Sequence, residues 1–139
     1  MSTLRIRLLP PVIEQLQQRL RQALEEHPAF YALVLGTADG RRISATNRLE
    51  LDEGRLAALS STLLSMAAAA TTELRGGRPN ECIVLFDSGT ACFARLGFEG
   101  RFVLCAAADG NLNLGMLISA TRRLAPDLSA LLEKLIERT

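Results

Sequence analysis

The chain has 139 residues, of which 48% are hydrophobic and 22% charged, and a formal net charge of +1. That length suits one domain able to bury roughly two thirds of its unfolded surface, and the near-neutral charge excludes a protein held to nucleic acid by its overall field. Of the 16 basic residues only Lys134 is a lysine, so phosphate-cradling or Schiff-base lysine chemistry has a single, poorly placed candidate.

The opening MSTLRIRLLPP sets two arginines among its apolar residues and ends in a proline pair, unlike the unbroken apolar core of a secretory signal; a cytoplasmic protein is expected. Cys82, Cys92 and Cys105 are odd in number and lack the close paired spacing of a zinc site, so they read as small buried hydrophobes and no metal is expected. From Pro11 and Val12 onward, Ile13, Leu16, Leu20 and Leu24 fall on one face and Glu14, Gln17, Gln18, Arg21 and Glu25 elsewhere, the pattern of an amphipathic helix. His27 and Pro28 end it, because proline pushes the preceding residue out of the helical region.

The run Phe30 to Thr37 is rich in aromatic and branched residues and is followed by Asp39-Gly40 and RRISATN, a hairpin signal. Asp52 is placed to cap a helix. That helix is unusual: LAALSSTLLSMAAAATT, between Arg55 and Glu73, holds no charge, proline or glycine over 17 residues. It is too short and too rich in Ser and Thr for a membrane span, so stable membrane insertion is not expected and a second protein surface is the expected cover. Leu56, Leu59, Leu63, Met66 and Ala70 form a stripe expected to face the core. The small-residue arc of Ala57, Ser60, Ser61, Leu64, Ala68, Thr71 and Thr72 is then the contact surface, and the Gly76-Gly77 pair ends the helix.

ECIVLF, ACFARL and RFVLCAAA, separated by DSGT and GFEG, predict a three-stranded meander. Their continuous apolar character implies helices on both sheet faces. Four-residue loops would bring Leu85, Cys92 and Cys105 side by side, making a Cys92 to Cys105 disulfide conceivable, although free thiols are expected in a reducing cytoplasm. Leu114, Leu117, Thr121 and Leu124 predict a helix ending before Pro126. A further short helix, Asp127 to Arg138, carries Leu128, Leu131, Leu132 and Leu135, which either cap the helical layer beside Ile13, Leu16 and Leu20 or contact a partner.

The element order is α-β-β-α-β-β-β-α plus a C-terminal helix, an α+β sandwich with one five-stranded antiparallel sheet between helical layers. With that order, ALVLGTADGRRISAT (Asp39, Gly40, Ile43 to Ala45) and FVLCAAADGNLNLGMLISATRRL (Val103 to Gly115), together with the small-residue helix between them, resemble the roadblock (dynein light chain roadblock) family over about residues 11 to 125. The resemblance implies a roadblock/profilin-like sandwich in one domain spanning 1 to 139, with residues 126 to 139 as a helical extension. It also implies a homodimer in which the central helices pair and the strand from Glu81 to Phe86 meets its copy, burying helix residues Ala57, Ser60, Ser61, Leu64, Ala68 and Thr71 and strand residues Glu81, Cys82, Ile83 and Val84. Bacterial and archaeal members typically bind small Ras-like GTPases, which makes Ser61, Leu64, Ser65, Ala68, Ala69 and Thr72 the implied GTPase platform.

Enzyme readings find little support. His27, the single histidine, sits at a helix end, no GxxxxGK[ST] loop occurs, and the Gly-rich stretches lack dinucleotide spacing, so no catalytic residue and no cofactor is expected. Asp39, Asp87 and Asp109 fall in turns, where backbone hydrogen bonding is their usual task. Arg41 and Arg42 at the hairpin could offer charge to a bound GTPase's nucleotide. The alternative is a sensory, ligand-binding or purely structural scaffold module without a GTPase partner. A ligand pocket would need convergent polar groups and aromatic walls, and this chain has five Phe, one Tyr and no Trp.

Overall fold

The computed structural model describes residues 4–138; the first three residues of the MSTLRIRLLPP opening and Thr139 lie outside them. Along the chain come β1 (Leu4–Ile6), α1 (Pro10–Glu26), β2 (Phe30–Thr37), β3 (Arg42–Asn47), α2 (Glu53–Glu73), β4 (Glu81–Phe86), β5 (Gly89–Leu96), a 3-10 turn at Phe98–Gly100, β6 (Phe102–Asp109), α3 (Leu114–Glu133) and β7 (Ile136–Arg138). Five strands make one antiparallel sheet in the order β3-β2-β6-β5-β4. The α+β sandwich read from the sequence is therefore the observed architecture.

Strand alternation sorts the core into two layers. Leu33, Leu35, Cys92, Ala94, Leu96, Phe102, Leu104 and Ala106 point to one face and meet Leu16 and Leu20 of α1 and Leu117, Leu128 and Leu132 of α3. Ala32, Val34, Ala45, Ala91, Phe93, Val103, Cys105 and Ala107 point to the other, where Ala57 and Leu64 of α2 join them as buried apolar residues. Apart from Phe93, the side chains on that face are small and let α2 lie close to the sheet. A Cβ at Gly36 would sit 2.8 Å from the Arg41 carbonyl oxygen and 3.1 Å from the Ala57 Cβ, so β2 needs glycine where the helix crosses.

The helix ends follow local chemistry. Asp52 caps α2 by accepting from the Arg55 backbone N–H at 3.0 Å, as expected. At its C-terminus Gly76 donates to the Thr71 carbonyl at 2.9 Å and Arg75 to Thr72 at 3.0 Å, the paired bonds of a Schellman motif. The left-handed residue of that motif is Arg75, at φ 54°, rather than either glycine of the pair that follows.

Three expectations are corrected. The β4–β5 hairpin pairs Phe86 with Gly89, leaving a two-residue turn, and the β5–β6 connection pairs Leu96 with Phe102 across five residues. These lengths move the register, so Cys92 stands opposite Ile83 and Ala106, while Cys105 stands opposite Phe93. A shift of one residue flips a side chain to the other face: Cys92 lies in the α1/α3 layer and Cys105 in the α2 layer, and all three cysteines are free thiols.

The second correction is that α3 does not break at Pro126 but runs through it to Glu133. Pro126 is exposed, which lets the carbonyl one turn earlier, deprived of its N–H partner, tilt toward water. Fully buried Leu128 and Leu132 hold the second half of the helix down, each side chain contributing about 1.5–3 kcal/mol by its burial. They pack with Leu16 and Leu20, so the capping role of these leucines is the observed one. Third, the expected helix to Arg138 gives way to β7, which pairs antiparallel with β1 in a separate two-stranded ribbon joining the two ends of the described chain.

Candidate interaction surface

α2 presents two contrasting sides. Ala57, Ser60 and Leu64 are at most 1% exposed and face the sheet. Leu56 and Leu63 pack partly against the same layer. Leu59 and Met66 are 47% and 65% exposed, and Ala58, Thr62, Ser65, Ala69, Ala70 and Thr72 are exposed beside them. This inverts the expected orientation: the stripe of Leu59, Met66 and Ala70 faces outward, and Ala57, Ser60 and Leu64, expected in a dimer interface or GTPase platform, have no surface to offer. The cause is the close approach to the sheet, which admits alanine, serine and one leucine while excluding a row of long side chains.

The hydroxyls on α2 are mostly spent within the chain. Ser60 donates to the Leu56 carbonyl at 2.6 Å, Thr62 to Ala58 at 3.1 Å, and Thr71 and Thr72 both to Ala68 at 3.2 and 2.8 Å. Ser61, half-buried, reaches across to the Ala38 carbonyl and pins the β2–β3 hairpin onto the helix. A side-chain hydroxyl bonded back to its own turn offers little to a partner, so the outward face is more apolar than its composition suggests. Ala68 and Thr71 are half-buried, whereas Ser65, Ala69 and Thr72 are open.

Beside α2 lies an open sheet edge. Among the described residues β4 pairs only with β5, so its outward row of N–H and C=O groups is open to pairing with another strand. Val84, Leu85 and Phe86 are 36%, 70% and 40% exposed on it, while Glu81, Cys82 and Ile83 are half-buried. Ile83 packs against the α1/α3 core and Cys82 against the α2 layer. Glu81 is tied to α3 through Arg122 at 2.8 Å, which fixes the start of the strand.

The interior holds no activated group at the positions the sequence raised. Burial pushes the Cys92 and Cys105 thiols up to about 12, with Glu81 adding to the effect at Cys92; such thiols stay protonated and unreactive. Asp39 is held below the usual carboxylate range by the Thr37 hydroxyl and then by Arg41, as befits a turn residue. His27 meets Phe30 edge to face at 5.5 Å. Among the described residues no group of three His, Cys, Asp or Glu could hold a metal ion, and no described helix is long and apolar enough to cross a membrane.

A five-stranded antiparallel sheet with α2 on one face and α1 and α3 on the other defines the roadblock/LC7 fold, of the profilin-like class. Solved structures agree. MglB of Myxococcus xanthus superposes at a TM-score of 0.80 and 15% identity, over 91% of this chain and 94% of that one. A Roadblock/LC7 domain from Streptomyces avermitilis superposes at 0.75 and 20% identity, over 84% and 97%. Profilin II of Acanthamoeba castellanii gives 0.61 at 13% identity, over 82% and 96%. No protein-family model and no curated protein matches the chain by sequence. At these identities the shared property is the fold.

Proposed function

We propose that the chain is a non-enzymatic, cytoplasmic interaction module that forms a homodimer through β4 and α2 and binds and regulates a small Ras-like GTPase. The observation that carries this reading is the continuity of an uncovered apolar helix face with an uncovered apolar strand edge. A chain that exposes Leu59 and Met66 on α2 and Val84, Leu85 and Phe86 on the neighbouring edge strand invites association there. A second copy adding its β4 edge to edge extends the sheet to ten strands and satisfies the free backbone groups. The interface expected from strand pairing plus helix contact is about 1,600 Å² or more, the size of a stable complex.

In this arrangement Glu81, Cys82, Ile83 and Val84 line the strand contact. Ser61, Ala68 and Thr71, half-buried on α2, lie at its margin, and the outward residues Ser65, Ala69 and Thr72 give the dimer a flat platform. The GTPase assignment rests on the resemblance to roadblock proteins and on the superposition with MglB. Regulation then consists of a surface that distinguishes two nucleotide states of its partner, with no reacting group supplied by this chain's interior.

The test is capture of partners from the protein's own cell lysate with a GTP analogue or GDP present, read by mass spectrometry. Enrichment of a Ras-like GTPase in one nucleotide state is the expected result, and Ala69→Arg should lose that partner while its melting temperature stays near that of the parent. If neither state retains a GTPase, the scaffold or ligand-sensor reading replaces this one.

A further inference from the structure

A different part of the molecule gathers positive charge. A cavity of about 540 Å³ opens where β1, the β2–β3 hairpin and the turn before β6 converge, lined by Arg5, Ile6, Thr37, Asp39, Arg41 and Arg101. The convergence is built by the backbone: Ala38 donates to the Arg101 carbonyl at 2.7 Å, holding Arg101 beside the hairpin. Arg5 is delivered by the β1–β7 ribbon, which Arg7 closes by donating to the Leu135 carbonyl at 2.7 Å. None of the residues on the α2–β4 surface lines this cavity.

The charges do not cancel. Three arginines face one carboxylate in the lining. Asp39 sits 3.6 Å from Arg41, and Glu99, outside the lining, lies 3.3 Å from Arg101. Arg5 stands opposite Glu137 in the ribbon register, yet among the described residues it is in ion-pair range of no carboxylate. The Nε of Arg101 is buried and has no hydrogen-bond partner among the described residues, although guanidinium N–H groups are normally satisfied when buried. Forked guanidinium donors match the oxygens of phosphoryl groups, which can take two at once. Among the described residues no aromatic ring lines the cavity, so the lining offers no stacking surface to a nucleobase.

We infer that this cavity binds a compact phosphoryl polyanion, either pyrophosphate itself or the phosphate chain of a nucleoside polyphosphate, held by Arg5, Arg41 and Arg101. Because Arg5 belongs to the terminal ribbon and the other two to the sheet's loops, the ligand bolts the ribbon to the body. This site stands independently of the GTPase reading.

The experiment is calorimetric titration of the full chain with inorganic pyrophosphate at low salt, alongside hydrogen exchange of the Arg7 amide. Saturable binding below millimolar, weakened roughly tenfold or more by Arg101→Gln and by Arg5→Gln, with slowed exchange at Arg7 on binding, is the expected result. Arg5 is itself exposed, so Arg5→Gln carries little folding risk. No saturable heat, or unchanged affinity in both variants, overturns the site. Equal affinity for citrate, with the same dependence on the arginines, overturns its phosphoryl character. In a parallel titration with GTP, affinity matching pyrophosphate supports recognition through the phosphates alone, whereas binding of GTP that ignores both substitutions overturns the assignment to this cavity.

Discussion

The two edges of the sheet are finished in opposite ways. β3, at one edge, is guarded: Gln17 of α1 donates to the Ala45 carbonyl at 2.7 Å and accepts from the Ser44 hydroxyl at 2.7 Å. Arg42 and Asn47 are both tied to Glu53 at the start of α2, at 2.9 and 2.7 Å. β4, at the other edge, carries one charge at its start, Glu81, and its last three side chains are apolar and face out. Natural sheets blunt exposed edges with charge, bulges or covering elements, and this chain does so at β3 while leaving β4 bare. An edge protected on one side only is best understood as reserved for pairing.

The largest effect should come from charging the bare edge. Val84→Lys places like charges near the twofold contact and should weaken the dimer at least about a hundredfold, roughly 3 kcal/mol, with the protomer's circular dichroism unchanged; sedimentation at graded concentrations checks it. The opposite manipulation is Gln17→Ala at the guarded edge, where two hydrogen bonds are lost. It should cost about 1–3 kcal/mol in denaturant unfolding and leave the dimer constant as it was. If Gln17→Ala instead raised the oligomeric order, the guard at β3 would prove to be what prevents a second strand pairing.

Core packing under α2 carries the contrast into fold stability rather than association. Leu64 is fully buried and is the one large side chain from α2 fully buried in that layer, so Leu64→Ala should destabilise the fold by about 2–5 kcal/mol. Met66→Ala, two residues on but facing water, should change stability by less than about 0.5 kcal/mol while weakening partner capture. The pair separates the inner face of the helix from the outer one in a single denaturation series. A modest gain is expected from Arg75→Gly, which relieves a left-handed residue at the C-terminus of α2 and should add about 1 kcal/mol of stability.

Much of this architecture was legible in residue pattern. The α1 stripe, the Asp39-Gly40 hairpin, the Asp52 cap and the meander each carry a local signal whose physics is nearest-neighbour. The strand register was not legible, because it depends on two loop lengths that differ from the simplest choice, and one residue of error moved Cys92 and Cys105 to opposite faces. The β1–β7 ribbon was hidden because strands of three residues show no period. Pro126 misled because its exposure decides whether a helix tolerates it.

The candidate surface was half legible. An uncharged α2 announces a covered helix, but which side faces its own sheet depends on how closely helix and sheet approach, a property of Gly36 and the alanines on β2, β5 and β6. Ranking residues by size put leucines inward, whereas the narrow gap selects Ala57, Ser60 and Leu64. The strand from Glu81 to Phe86 was expected to meet its copy, but Leu85 and Phe86 were not named among its contact residues, because their exposure at the edge depends on strand neighbours that the run itself does not show. The arginine-lined cavity was not legible as a site: Arg41 stood out only as a hairpin charge, and Arg5 and Arg101 are brought beside it only by the tertiary fold.

In the proposed dimer, β4 and the outer face of α2 are completed by a second copy. Light scattering coupled to size exclusion, on the parent chain and on Val84→Lys, tests it directly. A parent of twice the 15.1 kDa chain mass and a folded Val84→Lys protein at the chain mass are expected. A monomeric parent, or a dimer unmoved by charge on β4, would contradict it.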